Sequence, residues 1–288
     1  MRLVVASKPI TDFERRRKNI AASKSYPLFK PQEGTTGPVA MCAAGPSLLK
    51  SLPLLRAYYR AGIPICAIKG AASVLILHGI IPKYAVFLDS REDQLRLVQE
   101  THPDTIYCLG SQIDPSLFEK LAGCDIRVFH ASSPKLHTEP NTDYITGGST
   151  TGLRAINLMR WAGYTKFFFL GYDCCLIDGV SHIYSKTNTS QELTVMVGGR
   201  EFETTAELAC QHQDFIKLHV AIDEPLDAIV HGDGALARSF QMIEEGRHDD
   251  VWMHVDQFTY GLQFHKLLTP EDTREFLRPD PQENFVCQ

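Results

Sequence analysis

Two short turns hold the residues best suited to gripping an anion. The first is Ala43-Ala44-Gly45-Pro46-Ser47, between an apolar run at 39–42 and a segment with helical apolar spacing (Leu48, Leu49, Leu52, Leu54, Leu55). A strand that turns straight into a helix leaves unpaired backbone N–H groups and the positive end of a helix dipole at one point, which suits a phosphate. Gly45 lets the backbone approach closely, and Ser47 can cap the helix or donate to a phosphate oxygen. The turn matches neither Gly-rich phosphate fingerprint, so an ordinary strand–helix connection fits it as well. The second turn is Thr146-Gly147-Gly148-Ser149-Thr150-Thr151-Gly152, which runs into a helix expected at 150–162. Its hydroxyls and N–H groups crowd a helix N-terminus and make the better anion site, with a plain capped helix as the alternative. The expectation is that the turns around Ser47 and Ser149 converge on one polyphosphate.

Two aspartates follow apolar strands directly. Asp89, in Phe87-Leu88-Asp89-Ser90-Arg91, either binds Mg²⁺ or a ribose hydroxyl or caps the next helix. Asp173, in Leu170-Gly171-Tyr172-Asp173, has the same position and the same two readings. Pointing into one crevice, the pair would share a cation with a di- or triphosphate. His182 stands in Ser181-His182-Ile183-Tyr184-Ser185-Lys186, where it reads as a solvated loop residue or as a general base. No His/Cys spacing matches a zinc site, and there is no nucleophile elbow, P-loop or kinase signature set.

The elements that must position these residues alternate along the chain. Strands are expected at 39–42, 63–68, 84–88, 105–109, 126–130, 166–170 and 228–230, with helical patterns between them. That alternation implies an open, mostly parallel, Rossmann-like α/β sheet with helices on both faces, whose ligands bind beyond the carboxyl ends of the strands. Residues 1–37 read as an N-terminal arm and linker, with a basic helix at 13–22 presenting a solvated face or a partner contact. Residues 38–245 read as the α/β domain and 246–288 as a C-terminal extension, a cap on the core or a contact in a homo-oligomer. Residues 174–199 read as one long aperiodic loop, and a helix is expected from 204.

The 288 residues carry a formal net charge of −5, which argues against nucleic-acid binding driven by phosphate neutralisation. No apolar run reaches membrane-spanning length. Eight cysteines without a CxxC pair form no disulfide framework. Cys42, Cys66 and Cys108 are expected as buried thiols, and a reducing cytoplasm fits them.

The order of motifs resembles the archaeal 6-hydroxymethylpterin diphosphokinase (MptE-like) domain, found also in bacterial flagellin-modifying accessory proteins and phage-encoded proteins. The matching stretches are Ala44-Gly45-Pro46-Ser47-Leu48, Gly79-Ile80-Ile81-Pro82-Lys83-Tyr84 leading to Asp89, and Gly147-Gly148-Ser149. Phe169-Leu170-Gly171-Tyr172-Asp173, His182, Phe202-Glu203-Thr204-Thr205 and Gly232-Asp233-Gly234-Ala235 follow. The pattern is also distantly similar to bacterial sialyltransferases. The resemblance implies a nucleotide-dependent transferase in which an acceptor hydroxyl, on a small molecule or a glycan, attacks ATP or a nucleotide sugar. Carried over, Gly45, Pro46, Ser47, Gly147, Gly148, Ser149 and Thr150 hold nucleotide phosphates and His182 is the base. Asp89 and Asp173 take a nucleotide or metal role, with Mg²⁺ as the cofactor of the diphosphokinases. The chain departs from the sialyltransferases in having Asp89 and in lacking a paired-tyrosine motif after Asp173. A non-catalytic binding or assembly protein on the same fold is the alternative of another class.

Overall fold

The computed structural model describes residues 2–5, 12–133, 136, 142–148, 150–184, 192–220 and 226–255. Eight strands form one parallel sheet: β1 (Pro38–Cys42), β2 (Ile65–Ile68), β3 (Tyr84–Phe87), β4 (Ile106–Gly110), β5 (Asp125–Ala131), β6 (Tyr144–Ile145), β7 (Lys166–Leu170) and β10 (Asp227–Val230). Their order is β10-β7-β1-β2-β3-β4-β5-β6. The strands are short, mostly apolar runs, as strands covered on both faces require.

Alternation along each strand feeds two cores. Val39 and Met41, Cys66 and Ile68, and Tyr84 and Val86 point to one side. There they meet Ile156 of α6 (Thr151–Trp161), Phe215 of α7 (Ala206–Val220) and Phe240 of α8 (Ala235–Glu244). Ala40 and Cys42, Ile65 and Ala67, and Ala85 and Phe87 point to the other. Their partners are Leu48 of α2 (Ser47–Lys50), Leu55 of α3 (Leu52–Arg60), Leu75 of α4 (Ala71–Leu77) and Phe118 of α5 (Ser116–Lys120). Helices therefore cover both faces, as expected. The helix expected after the first turn is broken into α2 and α3 because Pro53 has no N–H to continue the ladder and its ring crowds the preceding turn. Cys42, Cys66 and Cys108 are buried free thiols, as expected.

The long loop expected at 174–199 is wrong at its end. β8 (Glu192–Val197) and β9 (Arg200–Thr205) pair as an antiparallel hairpin, so residues 204–205 close a strand and α7 begins after them. Gly198 and Gly199, at φ 52° and 77°, supply the two left-handed positions of a tight hairpin turn. Leu193, Val195 and Val197 are buried while Met196 between them is exposed, the alternation of a half-buried strand.

The N-terminal arm is packed onto the sheet. Asn19 of α1 (Phe13–Ser23) donates to the carbonyls of Ser90 (3.4 Å) and Gln112 (2.9 Å), and the Phe29 N–H donates to Val128 at 2.7 Å. Leu3 donates to the Met253 carbonyl, and His254 bridges both Arg2 and Met196. The two ends of the described chain thus meet at the hairpin.

Candidate functional site

β1 lies between β2 and β7, so the chain leaves it in one direction and returns on its other side. Loops diverge at such a switch point and open a crevice beyond the carboxyl ends. The crevice holds a cavity of about 770 Å³, counting the part open to solvent. Its walls come from six places: Gly45 after β1, Lys69 after β2, Thr150–Leu153 at the start of α6, Asp173 after β7, the loop bearing His182, and Leu208, Gln211 and Phe215 of α7.

Gly45 is required at its position. Its N–H donates to the Gly171 carbonyl at 2.9 Å, and a Cβ there would run into that carbonyl and into the Asp173 carboxylate. Ser47 does not cap α2 with its side chain. Its N–H instead donates to Asp173 Oδ2 at 3.0 Å. The buried Ser47 hydroxyl lies beside the same carboxylate without a well-formed hydrogen bond. Asp173 is only 4% exposed, and its neighbours include the backbones of Gly45, Gly232 and Gly234. Burial pushes its carboxyl above the usual carboxylate range, against the opposing pull of Ser47.

Thr150 caps α6, its hydroxyl accepting the Leu153 N–H at 3.3 Å, and brings the helix N-terminus to the cavity. Gly147 and Gly148, at φ 105° and 44°, are held to the side of α6 instead. Arg154 donates to the carbonyls of Gly148 and Ile145, and Asn157 to that of Thr146. Gly147 lines a separate cleft beside Tyr144 and Trp161. Ser149 and Lys186 lie outside the described residues. Ser47 opens on a second cavity, with Lys50, Arg200 and Asp233. The cavity at the switch point therefore brings Gly45, Thr150, Asp173 and His182 together, and Ser47, Gly147 and Asp89 are not among the residues that line it.

His182 Nδ1 lies 2.9 Å from the Ser181 hydroxyl, and its ring stacks on Tyr184 at 5.2 Å between centroids. The neighbouring Ile183 N–H donates to the Ala44 carbonyl at 2.9 Å, which ties this loop to the first turn. Burial lowers the His182 pKa, and the Lys69 charge lowers it further. The imidazole is therefore neutral at pH 7 and able to accept a proton.

Asp89 is held by Arg91 (Nη2 to Oδ2 2.6 Å, Nε to Oδ1 3.0 Å) and by Lys69 at 3.5 Å. Burial alone would raise its pKa, but the Arg91 hydrogen bonds and the two positive charges hold it below the usual value. Among the described residues no group of three or more His, Cys, Asp or Glu side chains is placed to hold a metal ion. Mg²⁺ beside a nucleotide needs only one or two carboxylates. Those of Asp89 and Asp173 are engaged by Arg91, Lys69 and Ser47, so they do not fit a shared cation, and no step below runs through one.

Lys69 is the residue that sequence reasoning missed. It adopts φ 51°, a conformation L-residues rarely take, and ends a strand as Asp89 and Asp173 do. The rule that singled out those aspartates, a polar residue at the carboxyl end of an apolar strand, points to Lys69 as well.

A family model described as 6-hydroxymethylpterin diphosphokinase MptE-like matches residues 13–179, more than half of the chain. The chain belongs to the MptE-like family. The match takes in α1 and the linker, in keeping with their packing on the sheet, and it includes Lys69, Asp89 and Asp173 of the MptE-like chain but not His182. No curated protein matches it. Among solved structures, the MAf glycosyltransferase from Magnetospirillum magneticum AMB-1 is similar to the MptE-like chain, with a TM-score of 0.54 at 12% sequence identity. The likeness covers 88% of this chain and 44% of that one, and shows a shared fold. No helix among the described residues is long and apolar enough to cross a membrane.

Proposed function

We propose that the chain is a nucleotide-dependent transferase whose donor lies in the switch-point cavity and whose acceptor hydroxyl gives its proton to His182. The observation that carries this reading is one cavity lined by a neutral imidazole, a lysine and the N-terminus of an eleven-residue helix. The backbone N–H groups of Thr151 and Gly152 and the Lys69 ammonium face the donor phosphate. When Ser181 Oγ accepts from Nδ1–H, the His182 Nε2 lone pair is left for the acceptor proton. As that proton moves to Nε2, the acceptor oxygen bonds to the transferred group. The bond from that group to the nucleotide phosphate breaks, and its electron pair stays on the phosphate oxygen, where Lys69 and the α6 dipole offset the charge.

The transferred group is a sugar or a diphosphoryl. Sugar transfer is supported by the engagement of the Asp89 and Asp173 carboxylates by protein groups and by the glycosyltransferase title of the structural neighbour. Diphosphoryl transfer from ATP is supported by the family's description. Thermal shifts with ATP, CMP and UDP compounds, each with and without Mg²⁺, separate the two. A donor at about 100 times its dissociation constant stabilises by about 2.7 kcal/mol. A CMP or UDP compound acting without Mg²⁺ supports the sugar donor, and ATP acting only with Mg²⁺ supports the diphosphoryl donor. No shift with any of them refutes the transferase reading.

A further inference from the structure

The loop that brings His182 to the cavity is fastened at the two residues that follow it. The Ile183 N–H donates to the Ala44 carbonyl at 2.9 Å, and the Ile183 side chain packs on the core beneath α2–α5. Tyr184 lies against Gly70, the residue between Lys69 and α4. A Cβ on Gly70 would stand 2.9 Å from Tyr184 Cε1 and 3.1 Å from Cδ1, so a larger residue there would displace the ring. Gly70 has φ −61° and ψ −17°, values that any L-residue adopts, so its backbone does not call for glycine. The space taken by the Tyr184 ring does. Tyr184 is 42% exposed and belongs to neither core. The same ring stacks on His182, with centroids 5.2 Å apart and planes 18° from parallel, the offset arrangement that aromatic pairs favour. Gly70, Tyr184 and His182 are thus three successive contacts leading from the turn after β2 to the imidazole.

We propose that Tyr184, seated on Gly70, is a positioning residue that holds the His182 imidazole in place for proton transfer. This role rests on the reading of His182 as the base. Ser181 fixes the imidazole only through Nδ1, a single contact about which the ring can still tilt. The stacked phenol ring removes that freedom. It also covers part of the imidazole, in keeping with the burial that lowers the His182 pKa. Burial raises the phenol pKa of Tyr184, so the ring is uncharged at pH 7. The charged groups that line the cavity with His182 are Lys69 and Asp173, and replacement of Tyr184 removes neither. The turn after β2 therefore acts on the base twice, through the charge of Lys69 and through the room that Gly70 leaves.

The test is NMR titration of the histidine rings in the full chain, with the His182 signal assigned by its loss in His182→Gln. Tyr184→Ala should move the His182 titration upward, because the ring that covered the imidazole is gone, and Tyr184→Phe, which keeps the stack, should restore it. Gly70→Ala should move it as well by displacing the ring, yet add nothing to Tyr184→Ala, where the new methyl meets no ring. Turnover is read as release of nucleotide from whichever ATP, CMP or UDP compound raises the melting temperature. There Tyr184→Ala should lower kcat about 10- to 100-fold with KM nearly unchanged, since misplacing a reacting group by about 1 Å costs up to about 100-fold. An unchanged His182 titration in Tyr184→Ala overturns the proposal. So does a Gly70→Ala effect that persists in full when Tyr184 is already alanine, or a kcat that Tyr184→Ala leaves intact. A titration that moves in Tyr184→Ala, in a protein whose melting temperature none of these nucleotides shifts, leaves the hold of Tyr184 on His182 standing and removes the transferase reading instead.

Discussion

Replacement of Asp173 by alanine and by asparagine separates two roles that its position at a strand end leaves open. The carboxylate is 4% exposed and accepts the Ser47 N–H at 3.0 Å. Alanine removes that acceptor and strands a buried donor, which costs about 1–3 kcal/mol. The atoms removed leave a small void worth roughly another 1 kcal/mol. The sum, about 2–4 kcal/mol, lowers the melting temperature by roughly 5–15 °C at about 2–4 °C per kcal/mol.

Asparagine keeps an acceptor oxygen for Ser47. It exchanges a charged hydrogen bond for a neutral one, a loss of about 1 kcal/mol. That loss is offset because burial already disfavours the charge, as the raised pKa of the group shows. Asparagine should therefore shift the melting temperature by less than about 4 °C. The assay pairs thermal or urea unfolding with nucleotide binding and transfer. If asparagine destabilises as much as alanine, the reading of Asp173 as the acceptor that joins two turns is wrong. If asparagine leaves stability intact and abolishes transfer, the charge itself takes part in the chemistry.

Three further outcomes follow from the same geometry. Gly45→Ala should cost about 1–3 kcal/mol or more, because the methyl meets a backbone carbonyl and a buried carboxylate, and nucleotide binding should go with it; a native melting temperature would contradict this. Transfer should persist at pH values below the usual histidine pKa, because protonation of His182 is delayed by burial and by Lys69, and Lys69→Met should move the acidic limb of the pH–rate profile upward. His212, buried against the Ser239 hydroxyl at 2.7 Å, has its pKa lowered to about 3. Its contribution is complete above the unfolded value near 6.5 and is lost as pH falls toward 3, at about 1.4 kcal/mol per pH unit. Urea unfolding at several pH values should show that slope in the parent and a flatter one in His212→Gln; equal slopes reject the assignment.

The sheet was legible because its signal is local. Each of the seven expected strands is a run of four to seven residues bounded by turn residues, whereas the two-residue β6 is too short to leave such a signal. The hairpin β8–β9 was missed although Leu193, Val195 and Val197 alternate and Gly198-Gly199 is a tight-turn pair, because its long approach was read as part of the same loop. The basic run reads as a solvated face or a partner contact, and helical spacing alone cannot show which arginine of Glu14-Arg15-Arg16-Arg17-Lys18 turns inward. The packing of Asn19 against Ser90 and Gln112, 71 and 93 residues away, decides it.

The same limit explains the fate of the two turns. Local pattern placed Gly45 and Ser47 in one anion-binding loop, yet they face different cavities with Asp173 between them. A carboxylate that accepts the N–H of Ser47 occupies a place that a phosphate would take in a glycine-rich loop. The first turn is thereby a neutralised joint between β1 and β7, and the anion-binding capacity of the crevice passes to the opposite wall, where the N-terminus of α6 and Lys69 stand. Donor affinity should accordingly respond more to loss of charge at Lys69 than at Lys50, which lies in the second cavity beside Ser47. Lys50→Met and Lys69→Met compared in one binding assay decide it, and a larger loss from Lys50→Met would move the donor to the other side of Asp173.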